Sequence, residues 1–206
     1  MKVVPFVYDD YDDLFANTYV LIDENNNCLV IDPSKKYSGI INYIQKNNLT
    51  LKGVLLTHGH ADHMGLAKYF QEKGAKIYIH RADMDKIGSY KNMGVFLNVI
   101  VPSFDADVLL EGGEHLQIDG LDVIVIHTPG HSKGSVCYVI GDCIFAGDTI
   151  FCASYGRTDF YDGDQDELYD SIVNKIFKLD GNYKIYTGHG PETTLELEKA
   201  SNPILW

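Results

Sequence analysis

Four side chains that suit transition-metal binding lie within six consecutive positions, namely His58, His60, Asp62 and His63. Imidazole and carboxylate groups are the ligands that zinc and iron commonly take in proteins. A lone loop histidine is usually structural, but four candidate ligands in the order His-x-His-x-Asp-His form a specific metal-binding pattern. The sequence therefore predicts a metal site within residues 58–63.

The elements on either side of this pattern predict how it is held. Residues 53–56 form an apolar, β-branched run that is typical of a buried strand. Leu66, Tyr69 and Phe70 follow at helical spacing. The candidate ligands thus belong to a strand-to-helix loop, where rigid elements position side chains around a cavity. Asp62 lies near the start of that helix, where the helix dipole favours a carboxylate.

Further candidate ligands follow along the chain, each beside a glycine or a turn. His131 lies at the tip of the loop formed by residues 128–135, and His189 closes the last predicted strand, within residues 184–191. Asp148 lies within the apolar run of residues 143–151, which predicts one strand. A buried carboxylate is costly unless it binds a cation or accepts several hydrogen bonds. Asp32 closes another buried strand, as a turn cap or as a group that supports a metal ligand.

The remaining pattern alternates strands with helices. Residues 17–34 predict a hairpin about an asparagine turn, and residues 115–127 predict a second about Asp119 and Gly120. A helical stripe begins at Tyr37 and continues with Ile40, Ile41 and Ile44, and a capped helix begins at Asp164. Residues 81–103 carry irregular glycine and proline punctuation and are expected to overhang the site.

The order of Asp32, the loop of residues 58–63, His131, Asp148 and His189 resembles the five motifs of the metallo-β-lactamase superfamily. The resemblance covers nearly the whole chain and implies one domain over residues 1–206. The implied fold is a four-layer αββα sandwich of the α/β (α+β) class. It implies two divalent metal ions, with zinc as the leading choice and iron or manganese as alternatives. It assigns one ion to His58, His60 and His131, the other to Asp62, His63 and His189, with Asp148 bridging both.

Within that superfamily, the loop ending at His131, the strand around Asp148 and the segment around His189 look most like small bacterial glyoxalase II-type hydrolases. This resemblance implies a hydroxyacylglutathione hydrolase-like enzyme acting on a thioester such as S-lactoylglutathione. A metal-bridging hydroxide is the expected nucleophile, because metal binding lowers the pKa of water from 15.7 to about 7. Asp62 is expected to be catalytic by orienting that hydroxide and passing on its proton.

Other functions remain open. Gly156, Arg157, Thr158 and Asp159 resemble a segment of persulfide dioxygenases. Such an enzyme would use a single iron and leave Asp62, His63 and His189 without metal. A lactonase of the same fold is a further possibility. A metal-binding protein without activity is disfavoured, since every ligand position is filled.

Two positively charged side chains are candidates for substrate binding. Arg157 has the geometry to hold a substrate carboxylate through two hydrogen bonds, or instead to pair with Asp159 or Asp162. Lys133, beside His131, is the second candidate. The only other arginine in the chain is Arg81, so few groups are available to meet an anionic substrate.

The composition narrows the class of partner. The chain has 206 residues, 45% of them hydrophobic, and a net charge of −12. This charge argues against nucleic-acid partners and acidic membrane surfaces, because both require basic patches. No apolar stretch approaches the roughly 20 residues of a membrane span, and several aspartates precede residue 14 where a signal peptide would be apolar. A cytoplasmic enzyme with a small-molecule substrate is expected, and the sequence does not specify its oligomeric state.

Overall fold

Two six-stranded β-sheets form the centre of the protein. The computed structural model describes residues 1–7, 15–34 and 38–206. The first sheet contains, in spatial order, β1 (Lys2–Phe6), β2 (Thr18–Ile22), β3 (Asn27–Ile31), β4 (Thr50–Leu55), β5 (Lys76–His80) and β6 (Val108–Leu110). The second contains, in spatial order, β7 (His115–Ile118), β8 (Leu121–His127), β9 (Val136–Ile140), β10 (Cys143–Gly147), β13 (Lys184–Thr187) and β14 (Thr193–Thr194). Along the chain, the segment between β10 and β13 forms a separate two-stranded ribbon, in which β11 (Ile150–Phe151) pairs with β12 (Ser154–Tyr155).

Short helices connect these strands. They are α1 (Ser38–Lys46), α2 (Ala61–Met64), α3 (Ala67–Glu72), α4 (Gly94–Leu97), α5 (Gln165–Asp170) and α6 (Leu195–Ser201). Helical turns of other types are Arg81–Lys86, Tyr90–Asn92, Ser171–Lys175, Ile176–Lys178 and Pro203–Leu205. Within the described ranges, no helix combines the length and the apolar character that crossing a membrane requires.

Apolar side chains of the two sheets meet in a central core. Its buried members include Leu29 and Leu55 of the first sheet and Val123, Tyr138 and Phe145 of the second. Fully burying each aliphatic or aromatic side chain of this size contributes roughly 1.5–3 kcal/mol. The inner faces of the two sheets therefore pack directly against each other.

The outer face of each sheet is covered by helices. Ile40 of α1 and Phe70 of α3 pack in one cluster with residues of the first sheet such as Ile77. Leu168 of α5 and Leu195 of α6 pack in another cluster with residues of the second sheet. The four layers are the predicted αββα sandwich. Ile40 and Ile44 of the predicted stripe are buried, whereas Tyr37 lies outside the described residues.

Parallel strands bring the candidate ligands to one edge of the sandwich. β3, β4, β5 and β6 pair in parallel, and so do β10 and β13. In open α/β sheets, ligands bind outside the carboxyl ends of such strands. Asp32 follows β3 and residues 56–60 follow β4, while Asp148 follows β10 and residues 188–189 follow β13. At this edge the Tyr138 hydroxyl donates a hydrogen bond to the Leu56 carbonyl (2.7 Å) and so joins the two sheets.

The single strand predicted over residues 143–151 is broken in the structure. β10 ends at Gly147, whose φ of 49° lies in the left-handed region and turns the chain. The Thr149 backbone N–H bonds the Ala146 carbonyl (3.0 Å), and pairing resumes only in the β11–β12 ribbon. Asp148 therefore occupies a turn at the sheet edge instead of a position inside a strand.

Candidate metal centre

Three buried histidines form the first part of the site, called here the three-histidine group: His58, His60 and His131. His58 Nε2 lies 2.9 Å from His60 Nδ1, and that atom lies 2.9 Å from His131 Nε2. His58 and His60 belong to the loop between β4 and α2. His131 belongs to the loop between β8 and β9, which α5 supports, because the Asp164 N–H donates to the Gly130 carbonyl (2.8 Å).

Asp62, His63 and His189 form the second part, called here the aspartate group. His189 Nε2 lies 3.2 Å from Asp62 Oδ2, and His63 Nε2 lies 3.6 Å from the same oxygen. Asp62 and His63 come from α2, directly after the three-histidine loop, whereas His189 follows β13. One helical turn and one strand end thus supply this group.

Asp148 lies between the two groups. Its Oδ1 is 3.2 Å from His63 Nε2, and its Oδ2 is 3.5 Å from both His131 Nε2 and His189 Nε2. The carboxylate therefore faces nitrogen atoms of the three-histidine group and of the aspartate group at once.

The donor atoms of this cluster fit a divalent cation. In the part of the chain that the structure describes, His60 Nε2, His63 Nε2 and Asp148 Oδ1 are buried and make no well-aligned hydrogen bond, although the last two atoms lie 3.2 Å apart. Buried polar atoms without partners are costly and uncommon in folded proteins. Cations coordinated within the cluster would remove that cost, and imidazole and carboxylate donors suit zinc or iron.

Two members of the three-histidine group, His58 and His60, are kept neutral. Burial lowers the pKa of His58 well below its ordinary value, and the neighbouring imidazoles lower it further. Burial and His131 lower the pKa of His60 to about 4. Neutral imidazole is the form that binds metal. These two rings therefore need not lose a proton before they can coordinate an ion.

In the aspartate group and at Asp148, neighbouring charges outweigh the effect of burial on the pKa values. Burial alone would raise the pKa of Asp148, but His189 and His63 outweigh it and hold that pKa well below its ordinary value. The pKa of Asp62 is likewise lowered, because His63 and His189 outweigh burial. Burial would lower the pKa values of His63 and His189, yet Asp148 and Asp62 outweigh it and raise both.

Hydrogen bonds from outside the cluster orient the rings. Asp32 Oδ2 lies 2.9 Å from His63 Nδ1 and accepts from the Thr57 hydroxyl (2.7 Å), while Asp32 Oδ1 accepts from the Thr57 N–H (2.8 Å). The carboxylate of Asp32 thus both caps the turn and contacts a candidate ligand. His131 Nδ1 lies 2.8 Å from the Arg157 carbonyl oxygen, to which it donates, so Nε2 faces the cluster. Such contacts fix the tautomer and orientation of metal-binding histidines.

A cavity of about 360 Å³ opens onto the cluster. His60, Asp62, His131, Asp148 and His189 form its floor, and its walls include the side chains of Phe96, Leu97, Phe151, Tyr155, Arg157 and Phe160. Phe96 and Leu97 belong to α4, so part of the irregular segment of residues 81–103 lines the site. The aromatic walls were not assigned from the sequence, because neither strand nor helix periodicity marks them.

The two positively charged side chains predicted to bind substrate, Arg157 and Lys133, differ in position. Arg157 lines the cavity, but its Nε and Nη2 donate to Asp159 Oδ1 and Oδ2 (2.6 and 2.7 Å), and its guanidinium carbon lies 4.5 Å from the centre of the Phe160 ring. Asp162, the other predicted partner, instead binds Lys86. Lys133 has an exposed side chain and is not among the described residues that line the cavity.

Comparison with known proteins places this geometry in a family. A sequence profile of the Metallo-beta-lactamase superfamily matches residues 11–189. The chain belongs to this superfamily. It is 36% identical to the probable metallo-hydrolase YqgX of Bacillus subtilis, over 92% of each chain. It is 34% identical to the hydroxyacylglutathione hydrolase GloC of Haemophilus influenzae, also over 92% of each chain.

Solved structures of the superfamily share the fold. The BLEG-1 B3 metallo-beta-lactamase superposes with a TM-score of 0.88 at 34% identity, covering 92% of this chain and 94% of that one. TTHA1623 in a di-iron-bound form gives a TM-score of 0.83 at 29% identity, covering 97% and 98%. ETHE1 from Myxococcus xanthus gives 0.81 at 27% identity, covering 98% and 84%. The predicted fold class is therefore confirmed, and the superfamily and the histidine–aspartate cluster together indicate a divalent metal site.

Proposed function

We propose that this protein is a hydrolase of thioesters that works with two divalent cations. His58, His60 and His131 would hold one cation, and Asp62, His63 and His189 would hold the other. Asp148 would contact both. The observation that carries this proposal is the position of the Asp148 carboxylate, within 3.5 Å of nitrogen atoms from both groups.

The cations would lower the pKa of a bound water and polarise the thioester carbonyl, which are the established roles of metals in hydrolases. Asp62 lines the cavity, and its lowered pKa keeps it ionised near neutral pH. It would accept a hydrogen bond from the attacking water and take its proton, as a general base does. The water oxygen would then bond to the carbonyl carbon, the carbon–sulfur bond would break, and Asp62 would return the proton to the leaving sulfur, so that a thiol and a carboxylic acid are released.

Two findings support a thioester as the substrate. GloC, with which the chain shares 34% identity over 92% of each sequence, is named a hydroxyacylglutathione hydrolase. The cavity also offers apolar walls, Phe96, Phe151 and Phe160 among them, against which an acyl or thiol arm would pack. S-lactoylglutathione is therefore the reference substrate, and zinc is the first cation to test, with iron and manganese as alternatives.

A mononuclear-iron persulfide dioxygenase is the second candidate. It is favoured by the segment of residues 156–159 and by the similarity to ETHE1 from Myxococcus xanthus. In that case a single iron would occupy the three-histidine group with Asp148, and Asp62 would have no catalytic task. Metal stoichiometry and the dependence on Asp62 separate the two functions.

The test combines metal analysis with a substrate panel. Protein purified without chelator should contain close to two equivalents of metal and hydrolyse S-lactoylglutathione and a neutral thioester, with thiol release as the readout. The panel includes a lactone, glutathione persulfide with oxygen uptake, and a β-lactam, since the structural relative BLEG-1 is named as a metallo-beta-lactamase. One steady equivalent of iron with oxygen uptake, and no thiol release from thioesters, would reject the hydrolase.

A further inference from the structure

Next to the loops of the three-histidine group, the charged side chains of Asp83, Lys86 and Asp162 are buried together. Lys86 and Asp83 are fully buried, and the Asp162 side chain is 4% exposed. Lys86 Nζ donates to Asp83 Oδ1 (2.7 Å) and to Asp162 Oδ2 (2.6 Å). None of the three takes part in the proposed reaction. Burying such charges costs desolvation energy that the ion pairs often fail to recover, so stability alone gives little reason for the arrangement.

Asp83 connects the two loops that carry the three histidines. Its Oδ2 accepts a hydrogen bond from the Gly59 N–H (2.8 Å), between His58 and His60, and another from the Ser132 hydroxyl (2.8 Å), next to His131. Its Oδ1 accepts from the Gly134 N–H (2.8 Å) in the same loop as His131. One carboxylate therefore sets the distance between two loops that are far apart in sequence.

The close approach of this network explains two glycines in the ligand loops. A Cβ atom at Gly59 would lie 2.9 Å from both Cβ and Cδ of Lys86, and one at Gly134 would lie 2.6 Å from the Asp83 carboxyl carbon. Both distances are shorter than van der Waals contact allows. The residue between His58 and His60 is therefore restricted by Asp83 and Lys86 as well as by the loop itself.

Lys86 extends the network to the cavity wall. Asp162 Oδ2, which binds Lys86, also accepts from the Lys133 N–H (3.3 Å). Two residues earlier, the Phe160 ring packs edge-on against His60 and His131, with centroids 5.2 and 5.9 Å away. Lys86 thus connects Asp83, which contacts both histidine loops, with Asp162, which lies two residues after Phe160 in the cavity wall.

We propose that Asp83 and Lys86 are positioning residues that fix the relative placement of His58, His60 and His131, and thereby the metal affinity of the three-histidine group. This inference rests on the metal centre in the proposed function but not on the thioester substrate. It predicts an effect confined to one half of the centre, since the contacts of Asp83 reach the two loops of the three-histidine group.

The experiment isolates each half of the centre and measures cobalt(II) binding to it. In a His189→Ala background only the three-histidine group with Asp148 is complete, and in a His131→Ala background only the aspartate group with Asp148 is complete. Lys86→Met and Asp83→Asn are added to each. Affinity from chelator competition and the visible absorption spectrum of bound cobalt are recorded, with circular dichroism of the metal-free protein as the check on folding.

The expected result is a loss of affinity of about 10- to 100-fold at the three-histidine group, the usual effect of removing a side chain that supports metal ligands. Its cobalt spectrum should shift, and affinity at the aspartate group should change less than about threefold. The matched controls Asp85→Asn and Lys91→Met remove an exposed ion pair from the same segment and should change neither half.

Unchanged affinity and spectrum at the three-histidine group in folded Lys86→Met would overturn the inference, and so would equal losses at both halves. If Lys86→Met or Asp83→Asn does not fold, Ser132→Ala decides by the same criteria, because it removes one of the contacts between Asp83 and the loop that carries His131. If wild-type protein binds no metal, this inference and the proposed function both fail. If it binds two metals but releases no thiol from any thioester, only the proposed substrate fails.

Discussion

The three-histidine group and the aspartate group lie side by side but present different chemistry to a cation. The first offers imidazoles, and burial lowers the pKa values of His58 and His60 so that they stay neutral. The second places the carboxylate of Asp62 beside His63 and His189, whose pKa values are raised. The raised pKa values of His63 and His189 favour protons that a metal ion would displace, whereas the lowered pKa values of His58 and His60 do not.

The two groups also differ in exposure and support. His58 is fully buried and the His131 side chain is 2% exposed, whereas the His189 side chain is 32% exposed. Asp83 and the Arg157 carbonyl support the three-histidine group, and Asp32 supports the aspartate group through His63. The aspartate group is therefore the half that includes a ligand with a substantially exposed side chain, His189.

Loss of Asp148 should have the largest effect, because its carboxylate faces both halves. Asp148→Ala should lose at least one equivalent of metal and lower kcat by about 10²–10³-fold or more, the cost of removing one main electrostatic contributor. Metal analysis and thioester turnover give the result. Full metal content together with full turnover would mean that the seven ligands are assigned wrongly.

Asp62→Asn should lower turnover without changing metal binding at the three-histidine group. The amide cannot accept the proton of the attacking water and is a weaker metal ligand than the carboxylate, so kcat should fall by at least about 10²–10⁴-fold, the usual contribution of a general base. Cobalt bound at the three-histidine group should keep its spectrum. A dioxygenase that uses only the three-histidine group would keep its oxygen uptake in this variant. Oxygen uptake that persists in Asp62→Asn would therefore contradict the proposed hydrolase function.

Removal of metal by a chelator should proceed in two steps. The ion in the aspartate group should leave first, because His189 is partly exposed, and the ion in the three-histidine group should follow more slowly. At 100-fold excess over its Kd, a bound ion stabilises the folded state by about 2.7 kcal/mol, and each kcal/mol shifts the Tm of a domain of this size by about 2–4 °C. Stopped-flow absorption and thermal melts measure both effects. Simultaneous release of the two ions would contradict the difference in exposure.

Asp32→Asn should weaken the aspartate half selectively. Its carboxylate contacts His63 Nδ1 and both polar groups of Thr57. Removing its charge should reduce cobalt affinity by about 10-fold or more at the aspartate group, with a smaller change at the three-histidine group. Equal losses at both groups would show that Asp32 only holds the turn.

Arg157→Ala should have the smallest effect. Its guanidinium already pairs with Asp159, and both side chains are more than half exposed, so the contact is worth about 1 kcal/mol or less. KM for S-lactoylglutathione should rise less than about fivefold, with kcat and metal content unchanged. Asp159→Asn is the matched control, since it frees the guanidinium and should lower that KM. A large rise in KM that is specific to charged thioesters would instead assign Arg157 to substrate binding.

Local pattern in the sequence was sufficient to predict much of the fold. The apolar runs around residues 28–34 and 53–56 predict strands that the structure contains, and Asp164 caps α5 by accepting from the Asp166 and Glu167 N–H groups (2.9 and 3.0 Å). The predicted strand over residues 143–151 was wrong in its extent. Hydrophobic periodicity does not reveal that Gly147 takes a positive φ, nor that a Cβ atom there would lie 2.3 Å from Thr57 Oγ1.

The sequence alone determined which side chains are candidates for the metal centre, since the type and spacing of His58, His60, Asp62 and His63 suffice for that chemistry. The structure brings them together with His131, Asp148 and His189, while their role as ligands stays a prediction. Only the tertiary structure showed that Arg157 pairs with Asp159, that Lys133 is not among the described residues lining the cavity, and that Asp83 and Lys86 lie next to the histidine loops. Periodicity reports whether a residue faces the core, but the partners of a buried charge depend on how distant loops pack.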